Sequence, residues 1–129
     1  MTYVIDTHAL IWFAEGNSRL SATAKTALTA ASAQIVGPSM VLVEVRYLYA
    51  AQRVKISLDK LYQDVLDSIN CVIYPLNEDV VDRIPESLNI HDAIITATAL
   101  VYRDVMGHQV NLITKDRKIR DTKLIDVLW

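Results

Sequence analysis

Short apolar runs and longer amphipathic stretches alternate along the chain. Tyr3-Val4-Ile5 is a β-prone run that stops on Asp6, as a buried strand does. His8 to Glu15 has a helical pattern, stopped by Gly16-Asn17. Ser21 opens a second helix, rich in Ala and Leu, running to about Ala33. Gln34-Ile35-Val36 predicts a second strand, closed by Gly37-Pro38. Ser39 stands where an N-cap belongs, ahead of a helix reaching about Arg53. Ser57 caps another to about Ile69, with Leu58, Leu61, Val65 and Leu66 on one face. Cys71 to Tyr74 predicts a third strand ended by Pro75, and acidic Asn77 to Ile84 a short helix ended by Pro85. His91 to Met106 is apolar nearly all round, the mark of a central buried helix. Val110 to Thr114 predicts a fourth strand and Leu124 to Val127 a fifth.

This alternation predicts an α/β fold: a three-layer α/β/α sandwich with a central, mostly parallel sheet of about five strands. The length, 129 residues with no linker or repeat, fits one domain over residues 1–129. A hydrophobic share of 52% with three Gly and three Pro excludes disordered and collagen-like chains. The single cysteine, Cys71, excludes an internal disulfide framework and a cysteine-only metal site. The uncharged run Thr26 to Val43 is broken by Gly37-Pro38, and the opening residues lack a basic leader, so no membrane segment and a cytoplasmic location are expected. The net charge of −2, from 13 bases and 15 acids, argues against a nucleic-acid binder by bulk charge.

Four of those acids change the picture. Asp6 ends a strand and starts a helix, where it is equally well a helix cap. Glu44 adjoins the inner stripe of its helix, traced by Val41, Val45, Leu48 and Gln52. A carboxylate there needs a cation, a metal or a proton, unless it reaches out to water. Asp92 lies in the first turn of the most apolar helix, where dipole complementarity alone accounts for it. Asp116 follows Thr114 just past a strand, an ordinary turn position. Each acid has a local explanation, and the set does not. In open α/β sheets ligands bind beyond the carboxyl ends of the strands. Carboxylates brought together there repel unless divalent cations sit among them, and all-oxygen ligands suit Mg²⁺ or Mn²⁺.

At these residues the chain resembles the PIN-domain ribonucleases, and within them the VapC-type toxins of toxin–antitoxin pairs. Val4-Ile5-Asp6-Thr7-His8-Ala9-Leu10-Ile11-Trp12 is similar to the first acidic motif, followed by Arg19-Leu20-Ser21. Ser39 with Glu44 resembles the second motif, Ile90-His91-Asp92-Ala93-Ile94-Ile95 the third, and Leu112-Ile113-Thr114-Lys115-Asp116 the fourth. The ending Ile125-Asp126-Val127-Leu128-Trp129 resembles the family's final strand. The resemblance implies a metal-dependent endoribonuclease with Mg²⁺ or Mn²⁺ as cofactor. It implies Asp6 and Asp92 as metal ligands, Asp116 completing the site or bridging through water, Glu44 on a metal-bound water or the nucleophile, and Thr114 hydrogen-bonded to a carboxylate or the phosphate. It also implies three partners: an RNA substrate, a cognate antitoxin protein and a second copy in a homodimer.

Local charge agrees with an anionic substrate. Lys115 to Lys123 holds five bases against two acids, whereas Asp59 to Asp92 holds eight acids against two bases. The basic stretch suits a phosphate backbone and equally a solvated turn. His8 and His91 flank proposed ligands and are expected to make local hydrogen bonds. Trp12, Phe13, Tyr47 and Tyr49 are available to stack bases, or to pack in a core or interface. Two alternatives stand: a non-catalytic PIN-like domain that binds RNA or protein, and a haloacid-dehalogenase-like phosphatase. The first typically lacks one or more acids, and the second needs an Asp where His8 stands.

Overall fold

The central strand is the first apolar run. In the computed structural model, which describes residues 1–129, Thr2–Ile5 forms β1 with Val4 and Ile5 wholly buried. Five strands follow one another with helices between them: β1, α1 (Thr7–Glu15), α2 (Ala22–Thr29), β2 (Gln34–Pro38), α3 (Ser39–Ala50), α4 (Leu58–Leu61), β3 (Cys71–Tyr74), α5 (Glu78–Asp82), α6 (Ile90–Asp104), β4 (Val110–Ile113), α7 (Arg117–Thr122) and β5 (Val127–Leu128). The sheet order is β3-β2-β1-β4-β5, and every pairing is parallel. Val4 stands opposite Val36 on one side and Leu112 on the other. Right-handed crossovers then place α1 to α4 on one face and α5 to α7 on the other, giving the three expected layers. The ten residues Ala93 to Tyr102 of α6 are all buried, as their largely apolar character leads one to expect, with Thr96 and Thr98 enclosed among them. No helix is long and apolar enough to cross a membrane.

Several boundaries differ from the sequence expectation, each for a local reason. Ser39 is not the N-cap of α3; Pro38 holds that position without a side-chain bond. The Ser39 hydroxyl instead accepts a hydrogen bond from the Leu76 amide at 3.0 Å, tying the exit of β3 to the start of α3. Ser39→Ala is therefore expected to lower stability by about 1 kcal/mol in denaturant unfolding, with an unchanged m-value. α2 stops at Thr29 because Ala30 turns extended, with ψ 139°. α3 stops at Ala50, and Gln52 lies beyond it with φ 59°, so the inner stripe closes at Leu48. The helix after Ser57 widens at Tyr62–Leu66 into a π-helical stretch and ends before Ile69. β5 is Val127–Leu128 rather than Leu124 to Val127, because the Asp126 carbonyl accepts the Leu112 amide at 2.8 Å and pairing begins from there. The basic run at Arg117–Thr122 is a helix, not a turn.

One topological fact positions the chemistry. The connection after β1 leads toward β2, and the connection after β4 leads the opposite way toward β5. The carboxyl ends of β1 and β4 thus flank the point where the winding reverses, the place where such sheets leave a crevice.

Candidate active site

Asp6 and Asp116 meet at that crevice because each follows one of its two flanking strands. The Asp6 amide donates to the Ile113 carbonyl at 3.1 Å, so the turn after β1 is fastened to β4. Asp6 Oδ1 accepts the Ala9 amide at 2.9 Å and caps α1. Asp116 caps α7, its Oδ1 accepting the Lys118 amide at 2.8 Å. Thr114 lies between them, fully buried, and its hydroxyl accepts the Asp116 amide at 3.0 Å. Asp92 enters from the first turn of α6, where its Oδ2 accepts the Asn89 side-chain amide at 2.8 Å. Asn89 in turn accepts the Asp92 amide at 3.0 Å, a reciprocal cap. Capping and convergence are thus both true of these aspartates: one carboxylate oxygen of each serves a helix start and the other is left for the cleft.

Glu44 comes from the middle of α3 and shares the cleft with the three aspartates, in a space of about 570 Å³. Its Oε2 lies 3.9 Å from His91 Nδ1, and its Oε1 is buried without a hydrogen-bond partner. No lysine or arginine pairs with it. His91 therefore stands beside Glu44, whereas His8 makes no hydrogen bond and packs at 5.7 Å against the Trp12 ring. Trp12 in turn meets Trp129 edge-on at 5.9 Å. Phe13 is partly buried against the core, and Tyr47 is 76% exposed, outside the main cleft but lining a neighbouring hollow with Glu44 and His91.

Crowding of acids is visible in their protonation. Burial pushes Asp6 up from 3.8 to about 6, and the charge of Asp92 adds to it. The Thr114 hydroxyl, the Ala9 amide and His8 pull the other way. Asp92 is likewise raised, first by burial and then by its hydrogen-bonding contact with the Asp116 carboxyl and the charge of Glu44. Two carboxyls in contact need a proton or a cation between them. Lys115 and Arg117 line the same cleft and supply its only formal positive charge from Lys or Arg.

As they lie, no three His, Cys, Asp or Glu side chains close on a common point. The donor chemistry nevertheless fits a hard divalent cation. All four acids offer oxygen ligands in one cleft, Asp92 and Asp116 share a contact that positive charge would relieve, and Glu44 Oε1 has no other partner. Asp6, Glu44, Asp92 and Asp116 are the residues that would hold it.

Two contributors escape a reading of the sequence. Asn89 was legible in principle, since Asn three residues before Asp is a capping pattern. Thr7 was not: it lines the cleft with a buried hydroxyl that has no partner, and threonine at a helix start carries no signal of that.

A PIN domain family model matches residues 3–124. No curated protein matches the chain at a significant level. Two solved structures are similar in fold. One is VapBC2 from Rickettsia felis bound to a DNA fragment from their promoter, with a TM-score of 0.67, 14% identity, and coverage of 99% of this chain and 98% of that one. The other is VapBC-1 from nontypeable Haemophilus influenzae, with a TM-score of 0.65, 14% identity, and coverage of 99% and 97%.

Proposed function

The chain belongs to the PIN domain family, and from that premise we propose that it is a metal-dependent endoribonuclease, acting through Asp6, Glu44, Asp92 and Asp116 in one domain over residues 1–129. The observation that carries the reading is the convergence of these four carboxylates, from four separate elements, on the cleft at the winding reversal. With the family shown, the haloacid-dehalogenase-like alternative falls away. The non-catalytic alternative has no missing acid to rest on.

A bound Mg²⁺ or Mn²⁺ supplies electrostatic chemistry: it withdraws charge from the phosphodiester and lowers the pKa of the attacking water. The remaining work belongs to the chain. Asp6 and Asp92 would hold the cation, with Asp116 completing the set directly or through water. Thr114 keeps Asp6 ionised by facing its carboxylate, and fixes the turn that presents Asp116. Glu44 has an oxygen free to accept a hydrogen bond from the attacking water, while its other oxygen lies 3.9 Å from His91 Nδ1. Lys115 and Arg117 draw the phosphate backbone toward acids that would otherwise repel it.

The likeness to VapBC complexes supports a VapC-type toxin with a cognate antitoxin, and we extend the proposal to a homodimer working in the cytoplasm. The test is cleavage of a single-stranded RNA by purified protein with Mn²⁺ or Mg²⁺. Products bearing 5′-phosphate and 3′-hydroxyl ends are expected, because the attacking oxygen comes from water, and chelator is expected to abolish them. An RNA left intact with both metals overturns the nuclease reading.

A further inference from the structure

Beside the acidic cleft lies a second chamber of about 500 Å³ that shares two walls with it, His8 and Trp12. Its charged lining is Arg19, Arg53 and Lys55 against one acid, Glu15. All three cations are exposed, and none forms an ion pair. Of the lysines and arginines, only Lys60 and Arg103, paired with Asp64 at 3.0 Å and Asp104 at 2.7 Å, form ion pairs on this chain, so the chamber is marked by the grouping of three cations around one hollow and not by their lack of partners.

Two helix endings of the same kind bring these cations together. α1 closes with Gly16 at φ 65°, where the Asn17 amide donates to the Trp12 carbonyl at 2.9 Å. Asn17 Oδ1 then accepts the Arg19 amide at 2.9 Å and sets the direction of that residue. α3 closes the same way: the Gln52 amide donates to Tyr49 at 3.0 Å and the Arg53 amide to Leu48 at 2.9 Å. Here the left-handed residue is Gln52, φ 59°, where glycine is the unstrained choice. The turn made at that strained residue sends Arg53-Val54-Lys55 back against the end of α1.

Lys115 and Arg117 border the acids, and His8 and Trp12 line both the cleft and the side chamber, so cations stand in two adjoining hollows. We propose that this side chamber, through Arg53, Lys55 and Arg19, binds a backbone phosphate of the same RNA strand, a few nucleotides from the one that is cut. The proposal rests on the nuclease reading for the identity of the strand. A phosphate suits two guanidiniums, whose paired N–H groups match its oxygens, and an ammonium that adds a point charge. An aromatic ring at the junction suits a nucleotide chain better than an acidic peptide, since a base has a face to lay on it. Glu15 is the one group on this wall that opposes an anion.

The experiment measures fluorescence anisotropy of labelled single-stranded RNA of about 12 nucleotides, a length within the usual span of such sites, on the Asp92→Asn protein. Adding Arg53→Gln and Lys55→Gln together is expected to weaken binding about 10-fold and to lower the salt slope by about 0.7, the value for one lost phosphate contact on a single strand. Binding of a dinucleotide, too short to reach the chamber, is expected to stay unchanged. Glu15→Gln is expected to tighten the longer RNA a few-fold, an effect that a loss of fold does not produce. Unchanged affinity for the longer RNA overturns the proposal, as does equal weakening of the dinucleotide. Weakened binding of a polyglutamate peptide with RNA unaffected overturns it in favour of an acidic protein partner. The two readings fail separately: wild type that cuts RNA while the chamber variants bind normally sinks the chamber alone, and wild type that never cuts while the variants lose affinity sinks the nuclease alone.

Discussion

Asp6→Asn is expected to lower RNA cleavage by about 10²–10³-fold, the several kcal/mol that a metal centre contributes to the transition state, while leaving the domain folded. Asparagine separates the two duties of this residue. Its Oδ1 still accepts the Ala9 amide and caps α1, but the charge is gone. Asp6→Ala removes both and is expected to lose the same activity and to be about 1 kcal/mol less stable than Asp6→Asn. Asp92→Asn is expected to match Asp6→Asn in activity, because both would act through one cation. The double variant is then expected to be little worse than either single one, as for groups that act as a unit. Initial rates on a labelled RNA with Mn²⁺, read beside thermal unfolding, check all four. An Asp6→Asn protein that cuts at the wild-type rate removes Asp6 from the site.

The second large effect is on stability and follows from the burial of the same carboxylates. Asp6 titrates near 6 in the folded chain against 3.8 when unfolded, so between these values the folded state binds more protons. Stability contributed by the protonated form is therefore lost as pH rises through that window, on the order of 3 kcal/mol for Asp6 alone. The raised carboxyl of Asp92 acts in the same direction. Asp104, held below the ordinary range by Arg103, acts oppositely: its contribution is present above the carboxylate range and lost at low pH. Unfolding curves in chelator, taken from pH 4 to 7.5 for wild type and Asp6→Asn, isolate the effect by difference. The variant is expected to gain on wild type as pH rises and to equal or exceed it at neutral pH. A difference that stays flat across the window removes the strained carboxylate. Adding Mn²⁺ at neutral pH is expected to reverse the order, stabilising wild type by about 2.7 kcal/mol at 100 times Kd and the variant far less.

The elements were legible where burial makes the signal continuous. α6 is apolar nearly all round because ten successive residues are enclosed, and the inner strands β1, β2 and β4 are largely buried. Legibility failed where tertiary bonds outweigh local preference. Ser39 has the chemistry of a cap, and its hydroxyl is taken by Leu76, thirty-seven residues away in sequence. Gln52 continues the stripe of α3 by spacing, but the helix has already turned left-handed there. The acids were legible as a set and ambiguous one by one, since Asp6 and Asp116 do cap helices. What no spacing reveals is side-chain adjacency: the contact between Asp92 and Asp116, or His91 beside Glu44.

The placement of β1 between β2 and β4 has a consequence in time. Residues 2–5 reach a full set of neighbours only when residues 110–113 arrive, and the cleft gains its last carboxylate three residues later, at Asp116. Translation adds about 5–20 residues per second, and parallel pairing of distant strands is slow to form. On the nuclease reading proposed above, this ordering is a safeguard. A growing chain would carry its first three acids past the message that encodes it before the site is assembled, and the site is complete only when β4 docks and Asp116 follows it.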